Sequence, residues 1–208
     1  YTKKSKEMET DKRATTQWGK AAIGYQNYQD YLVLKNDKFK LKLVDLLYVS
    51  NFKGGNATIN EYEHSVEQKL TYYSTILKEI SSNYGSKSLG DLCHDERVQL
   101  KKLITRLCEL TKKDCPTKID GFGASYLSAL MSSFFPNLIP ILDRRILLNL
   151  ELVREDDVSS QGQIKNIEKF YPILIDKMYS ICTKSNKSLR EIDKEIFIMK
   201  LINVTEKK

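Results

Sequence analysis

The chain has 208 residues, of which 41% are hydrophobic and 29% are charged. This length fits one large domain or two small lobes and excludes a tandem multidomain protein, and the composition excludes a disordered chain. Lys and Arg outnumber Asp and Glu by 34 to 27, which gives a net charge of +7. That charge favours polyanionic partners such as nucleic acid or anionic lipid, although a merely solubilising surface explains it equally well.

The apolar stretches are too short to cross a bilayer. The longest, such as Leu46–Val49 and Ile139–Leu142, fall far below the roughly 18 to 20 residues that a spanning helix needs. The N-terminal residues are charged and no apolar segment follows them, so the pattern does not predict a secretory signal. We therefore expect a protein without a membrane span, located in the cytoplasm and associated with the nucleoid.

Cysteine and histidine spacing does not indicate a metal centre. The four cysteines are Cys93, Cys108, Cys115 and Cys182, with 14, 6 and 66 residues between them. These intervals fit no zinc-finger, zinc-ribbon or ferredoxin pattern, and neither His64 nor His94 has a second histidine at i+4 or a cysteine two residues away. We expect reduced thiols, no metal and no cofactor.

Helical periodicity dominates the sequence and predicts an all-α fold. The expected helices are Thr15–Leu34, Phe39–Phe52, Thr58–Ser81, Asp95–Lys113, Ala124–Phe135, Asp143–Leu152, Gln161–Cys182 and Leu189–Asn203. Thr58 and Glu61 have the spacing of a capping box, which places the start of the third helix at Thr58. The loop Asn83–Gly90 is rich in Gly and Ser, so we expect a single domain, 1–208, with approximate lobes 1–85 and 90–208.

Two features of residues 116–150 have the chemistry of a binding or catalytic site. Gly121-Phe122-Gly123 precedes a helix, and glycines at such a turn let backbone N–H groups approach a phosphate, although Gly-x-Gly alone is a weak signal. Asp143 follows the apolar Ile141-Leu142 and is expected at a helix N-terminus with a half-buried carboxylate. Ordinary helix capping is the alternative explanation for this aspartate.

Together these features resemble a known signature. Gly121-Phe122-Gly123, the small-residue helix that follows, and Ile139-Pro140-Ile141-Leu142-Asp143 are similar to the corresponding segments of helix-hairpin-helix DNA glycosylases. The match covers about 35 residues closely, and a looser similarity to bacterial proteins resembling 8-oxoguanine glycosylases extends to Leu189–Glu195. The resemblance implies a two-lobed helical bundle that binds double-stranded DNA as a monomer and flips a damaged base, with oxidised guanine favoured, into a pocket between the lobes.

The resemblance also implies residue roles. Asp143 would be the catalytic carboxylate that stabilises positive charge on the sugar and orients water. Members that also cut the strand carry a lysine two residues beyond the second hairpin glycine, where this chain has Ser125. A monofunctional enzyme is implied, with no iron–sulfur cluster, although another amine is not excluded as the source of weak strand cleavage. The implied DNA-binding residues are Gly121, Phe122, Gly123, Ser125, Lys118 and, in a loop expected to fill the gap left by the flipped base, Asn51, Lys53 and Asn56.

The residues that select the base are not identified by the sequence. Trp18, Tyr25, Phe122 and Tyr126 are candidates, but each fits core packing as well. Two functions stay open: a DNA glycosylase acting in base excision repair, and a non-catalytic helix-hairpin-helix DNA-binding protein in which Asp143 only caps its helix.

Overall fold

The computed structural model describes residues 9–54 and 58–201, and within these ranges the fold is all-α, as predicted. The helices are α1 (Lys12–Leu34), α2 (Leu43–Lys53), α3 (Glu63–Tyr84), α4 (His94–Glu109), α5 (Ala124–Phe134), α6 (Arg144–Asn149), α7 (Tyr171–Cys182) and α8 (Leu189–Ile198). Short 3₁₀ helices occur at Leu89–Asp91, Glu155–Asp157 and Ile167–Phe170. No helix in the described ranges is both long and apolar enough to cross a membrane.

Apolar stripes with helical spacing bury one face of each long helix. In α3, Val66, Leu70, Tyr73 and Leu77 recur at intervals of three or four residues, and all four are fully buried. Buried side chains from all eight helices belong to one hydrophobic cluster. The periodicity that predicted the helices therefore also identifies the residues that hold them together.

Several helix ends differ from the sequence prediction. The third helix begins at Glu63 rather than Thr58, because Glu61 does not serve a capping box: its carboxylate pairs with Lys69 and accepts the Asp120 N–H at 2.8 Å. The second helix begins at Leu43, where Asp45 accepts the Lys42 N–H.

The later helices are shorter than predicted. Asn166 has a left-handed backbone (φ +48°) and a 3₁₀ segment follows it, so α7 begins at Tyr171 instead of Gln161. The last helix ends at Ile198, and the predicted end at Asn203 lies outside the described residues.

Close packing of α1 on α2 and α8 defines one side of the molecule. A Cβ at Gly24 of α1 would lie 3.0 Å from the Phe52 Cβ of α2, so a larger residue there would push the two helices apart by a few tenths of an ångström. Just before the N-terminus of α1, Thr10 forms a β-bridge with Met199, which directly follows α8. Arg145 of α6 reinforces this junction, since its guanidinium pairs with Asp11 at 2.7 Å and donates to the Met199 carbonyl at 2.7 Å. These contacts bring α1, the end of α2, α6 and α8 around one cavity.

Candidate functional site

A cavity of about 740 Å³ lies between α1, the C-terminal end of α2, the start of α6 and α8. This volume falls within the roughly 300–1,000 Å³ typical of small-molecule pockets. The polar, charged and aromatic side chains in its wall include Trp18, Asn27, Asn51, Lys53, Asp143, Arg144, Arg145, Arg190, Asp193 and Phe197. The cavity thus combines two carboxylates, several cations and aromatic surface.

Asp143 is the N-cap of α6, as predicted, and its carboxylate has two distinct partners. Oδ1 accepts the backbone N–H of Arg145 at 2.8 Å, and Oδ2 forms an ion pair with Lys53 Nζ. The Asp143 side chain is 21% exposed. Burial alone would raise its pKa, but the Lys53 ammonium, the Arg145 N–H and the charge of Arg144 together hold the pKa below its usual value. The carboxylate is therefore ionised at neutral pH while it faces the cavity.

Helix α5 fixes the backbone that carries Asp143. The Ser125 hydroxyl donates to the Leu142 carbonyl, and the Leu142 N–H donates to the Ser128 hydroxyl, both at 2.8 Å. From α7, the Tyr171 hydroxyl donates to the Pro140 carbonyl at 2.8 Å. Both polar groups of Leu142 are thus held by α5, and Asp143 is the next residue in the chain.

The predicted loop residues have a different setting from the one expected. Asn51 and Lys53 are not in a loop but in the last turn of α2, where both line the cavity and Lys53 is 11% exposed at its side chain. The neighbouring Phe52 is buried against Tyr25, with ring centroids 5.5 Å apart, so it is a core residue. Asn56 lies outside the described residues.

The Gly121–Gly123 turn lies apart from the cavity wall. Gly121 has φ +80°, and a Cβ there would be 2.3 Å from the Thr58 carbonyl oxygen, so this glycine is required by the backbone and by packing. The Phe122 ring is 1% exposed, and the Phe122 N–H donates to the Ile119 carbonyl. Gly123 is the N-cap of α5 and has open space where a Cβ would be.

Two further contacts anchor this turn. Lys118 pairs with Asp120 at 3.1 Å near the surface, and the Lys118 carbonyl accepts a hydrogen bond from Lys69 at 2.7 Å. The Tyr126 hydroxyl, one turn into α5, donates to the Gly54 carbonyl at 3.0 Å. Tyr126 therefore links the helix that follows the glycine turn to the residue that follows Lys53.

Two cavity residues on α8 were missed by sequence reasoning. The Arg190 guanidinium lies between the rings of Trp18 and Tyr25, 4.3 and 4.4 Å from their centroids. Asp193 is 1% exposed, although aspartate is rarely buried without a partner. The available signal was its position on the apolar stripe of Leu189, Ile192 and Ile196.

Comparisons of the chain with protein-family models, curated proteins and solved structures found no match. Across residues 9–54 and 58–201, no group of three or more His, Cys, Asp or Glu side chains is arranged to hold a metal ion. Cys108 is buried, which raises its thiol pKa to about 12, and Cys93 is exposed.

Proposed function

We propose that this protein is a DNA glycosylase that hydrolyses the bond between a damaged base and its deoxyribose. The observation that carries the proposal is the Asp143 carboxylate, which Lys53 and the Arg145 N–H hold ionised in the wall of a cavity large enough for a nucleoside. The damaged base is proposed to be oxidised guanine, and double-stranded DNA is the proposed partner.

The chemistry requires a fixed negative charge beside the sugar. Departure of the base leaves positive charge on the sugar, and a carboxylate fixed close by stabilises it more than mobile water can. The base leaves with the electron pair of the broken bond and takes a proton from solvent, and water then adds to the anomeric carbon and gives its proton to Asp143 or to solvent. Two serines of α5 that hold Leu142 support this role, because they limit the movement of Asp143.

Hydrolysis without strand cleavage is proposed for this chain. The Ser125 hydroxyl, at the position where the resemblance would place a lysine nucleophile, donates to the Leu142 carbonyl and has a supporting role. The Lys53 amine is ion-paired with Asp143, and a protonated amine is not a nucleophile. The product would therefore be an abasic site in an intact strand.

DNA docking is proposed at the Gly121–Gly123 turn, as the helix-hairpin-helix resemblance implies. Gly123 leaves the N-terminus of α5 open, and a net charge of +7 favours a duplex in general. Flipping a base costs a few kcal/mol of stacking, which phosphate contacts can offset. The division into lobes 1–85 and 90–208, with DNA crossing between them, is part of this proposal.

The test is a panel of duplexes that each contain one damaged base, followed by alkali to cut the strand at abasic sites. We expect the wild type to release at least one base, oxidised guanine first, and Asp143→Asn to abolish release. The amide oxygen can still accept the Arg145 N–H, so the variant keeps its helix cap.

Two results would contradict the enzyme proposal. Equal release by Asp143→Asn would remove the carboxylate from the mechanism. Duplex binding without release of any base in the panel would favour the alternative, a non-catalytic DNA-binding protein.

A further inference from the structure

We propose that Arg190 and Asp193 select the base, and that the base they select has the edge of guanine: two adjacent N–H donors next to a carbonyl oxygen. This inference rests on the proposed function, because it assigns the substrate of the same cavity. It is carried by two residues of α8 in the cavity wall, Arg190 and Asp193, whose side chains include buried polar atoms without a hydrogen-bond partner.

Asp193 is a buried acceptor without a donor. Its side chain is 1% exposed, and neither carboxylate oxygen has a hydrogen-bond partner among the described residues. The Ile141 N–H lies close enough to act on the carboxylate as a weak donor, but it makes no hydrogen bond of normal geometry. A buried carboxylate without a donor destabilises a fold, so stability does not explain this aspartate. A ligand that supplies N–H donors would stabilise the ionised carboxylate and release the proton that burial otherwise keeps on Asp193.

Arg190 is a donor held in a fixed plane. The rings of Trp18 and Tyr25 contact its guanidinium from two sides, which restricts its rotation and leaves its edge to form hydrogen bonds. Its Nη1 is buried and has no acceptor among the described residues. No ion pair joins Arg190 to Asp193, so the two groups keep their hydrogen-bonding capacity for a third partner.

The spacing of these groups matches one type of base edge. Arg190 and Asp193 are three residues apart on α8, so they lie on neighbouring turns of one face. The guanine edge presents the N2 amino group, N1–H and O6 in a row, which requires two acceptors beside one donor. Asp193 would accept from N2 and N1, and Arg190 Nη1 would donate to O6.

Other bases fit this pair of groups less well. Hypoxanthine keeps N1–H and O6 but lacks the amino group, so it leaves one carboxylate oxygen unpaired. Adenine has no ring N–H on this edge, and thymine has a single N–H between two carbonyl oxygens. Guanine oxidised at C8 keeps the whole edge, so the proposal covers both guanine and its oxidised form.

The test measures nucleoside binding, which requires no base release. The wild-type protein is titrated calorimetrically with deoxyguanosine, deoxyinosine, deoxyadenosine and thymidine at up to millimolar concentration. Trp18 is the one tryptophan of the chain and lies against Arg190, so its fluorescence reports whether the cavity is the binding site. We expect deoxyguanosine to bind about tenfold more tightly than deoxyinosine, because a site built around a hydrogen bond rejects an analogue that lacks it.

The variant Asp193→Asn should lose the preference for deoxyguanosine over deoxyinosine, since its amide has one acceptor oxygen and turns an NH₂ donor towards the second N–H of guanine. The matched control is Asp176→Asn, at a half-exposed aspartate of α7 outside the cavity wall, which should keep the preference. Equal affinities for the two nucleosides in the wild type, a preference that survives Asp193→Asn, or no binding of any nucleoside would overturn the inference. If one of these results is found while Asp143→Asn still abolishes base release, the enzyme proposal stands. Only the assignment of base selection to Arg190 and Asp193 is then overturned.

Discussion

Lys53, the last residue of α2, forms an ion pair with Asp143, the N-cap of α6, although the two residues are far apart in the chain. The pair joins the end of one helix to the start of another inside the cavity. Lys53 is also the main reason that the Asp143 pKa is lowered in spite of burial. If the carboxylate acts on a substrate, the pH range of activity should depend on this lysine.

Replacement of Lys53 by methionine should move the acid limb of base release to higher pH. Loss of an opposite charge raises a carboxyl pKa by about 1–3 units, so Asp143 would be protonated in a part of the acidic range where the wild type is active. The variant should also be less stable by about 2 kcal/mol, because it leaves a largely buried carboxylate with one partner fewer. A pH–rate profile and chemical denaturation measure the two effects.

The matched control is Lys118→Met. Lys118 also pairs with an aspartate, but Asp120 is 67% exposed and the pair lies away from the cavity. We expect less than about 1 kcal/mol of destabilisation and no change in the acid limb. An acid limb that stays in place in Lys53→Met would show that Lys53 does not control the ionisation of a catalytic Asp143.

Sequence patterns predicted the structural features that depend on residues close together in the chain. The α3 stripe of Val66, Leu70 and Tyr73 follows from helical spacing, and Asp143 at a helix start follows from the residues around it. The errors arose where a side chain has a distant partner: Glu61 has the spacing of a capping box but binds Lys69 and the Asp120 N–H. The ion pair of Lys53 and the lack of a hydrogen-bond donor at Asp193 depend in the same way on helices that are distant in the sequence. Local sequence patterns therefore could not predict either of them.

The two glycines of the Gly121–Gly123 turn should respond differently to substitution. Gly121→Ala should lower the free energy of unfolding by about 2 kcal/mol or more, because φ is +80° and the new Cβ would overlap the Thr58 carbonyl. Gly123→Ala has open space for its Cβ and an ordinary φ of −93°, so only a small loss of helix capping is expected. Thermal or chemical denaturation of both variants tests this contrast.

Because Gly123 tolerates a side chain, a substitution at this position can test DNA binding without a large loss of stability. A leucine at this position would cover the N-terminal N–H groups of α5 and should weaken binding to duplexes of every sequence alike, since phosphate contacts position without specifying. Gly123→Leu with unchanged affinity and unchanged salt dependence would argue against DNA docking at this turn.

Ser128→Ala should both destabilise the protein and slow base release. The Ser128 hydroxyl is fully buried and accepts the Leu142 N–H, so the alanine variant leaves a buried donor without a partner, at a cost of about 1–3 kcal/mol. Ser133→Ala is the control, since Ser133 is equally buried on α5 but donates only to the Ala129 carbonyl of its own helix. Equal losses in the two variants would show that the contact to Leu142 has no special role.

Asp193 should make stability depend on pH in the direction opposite to a paired carboxylate. Burial raises its pKa to about 7, so the folded state holds a proton that the unfolded state has already released. Stability is therefore lost as pH rises from the unfolded value towards 7. The groups that act on or respond to the Asp193 charge are Arg190, Tyr25, Lys53, Asp143, Tyr171 and Cys182.

Tyr171, Cys182 and Asp143 are not expected to change protonation between pH 5 and 7. The pKa of Tyr171 is well above its usual value, that of Cys182 is about 11, and that of Asp143 is lowered. Asp193→Asn has no proton to release in this range, so its stability relative to the wild type should increase by about 2 kcal/mol from pH 5 to pH 7. Urea denaturation of both proteins at several pH values measures this difference. Parallel pH profiles would mean that Asp193 is already ionised at pH 5 and that a donor satisfies it in solution.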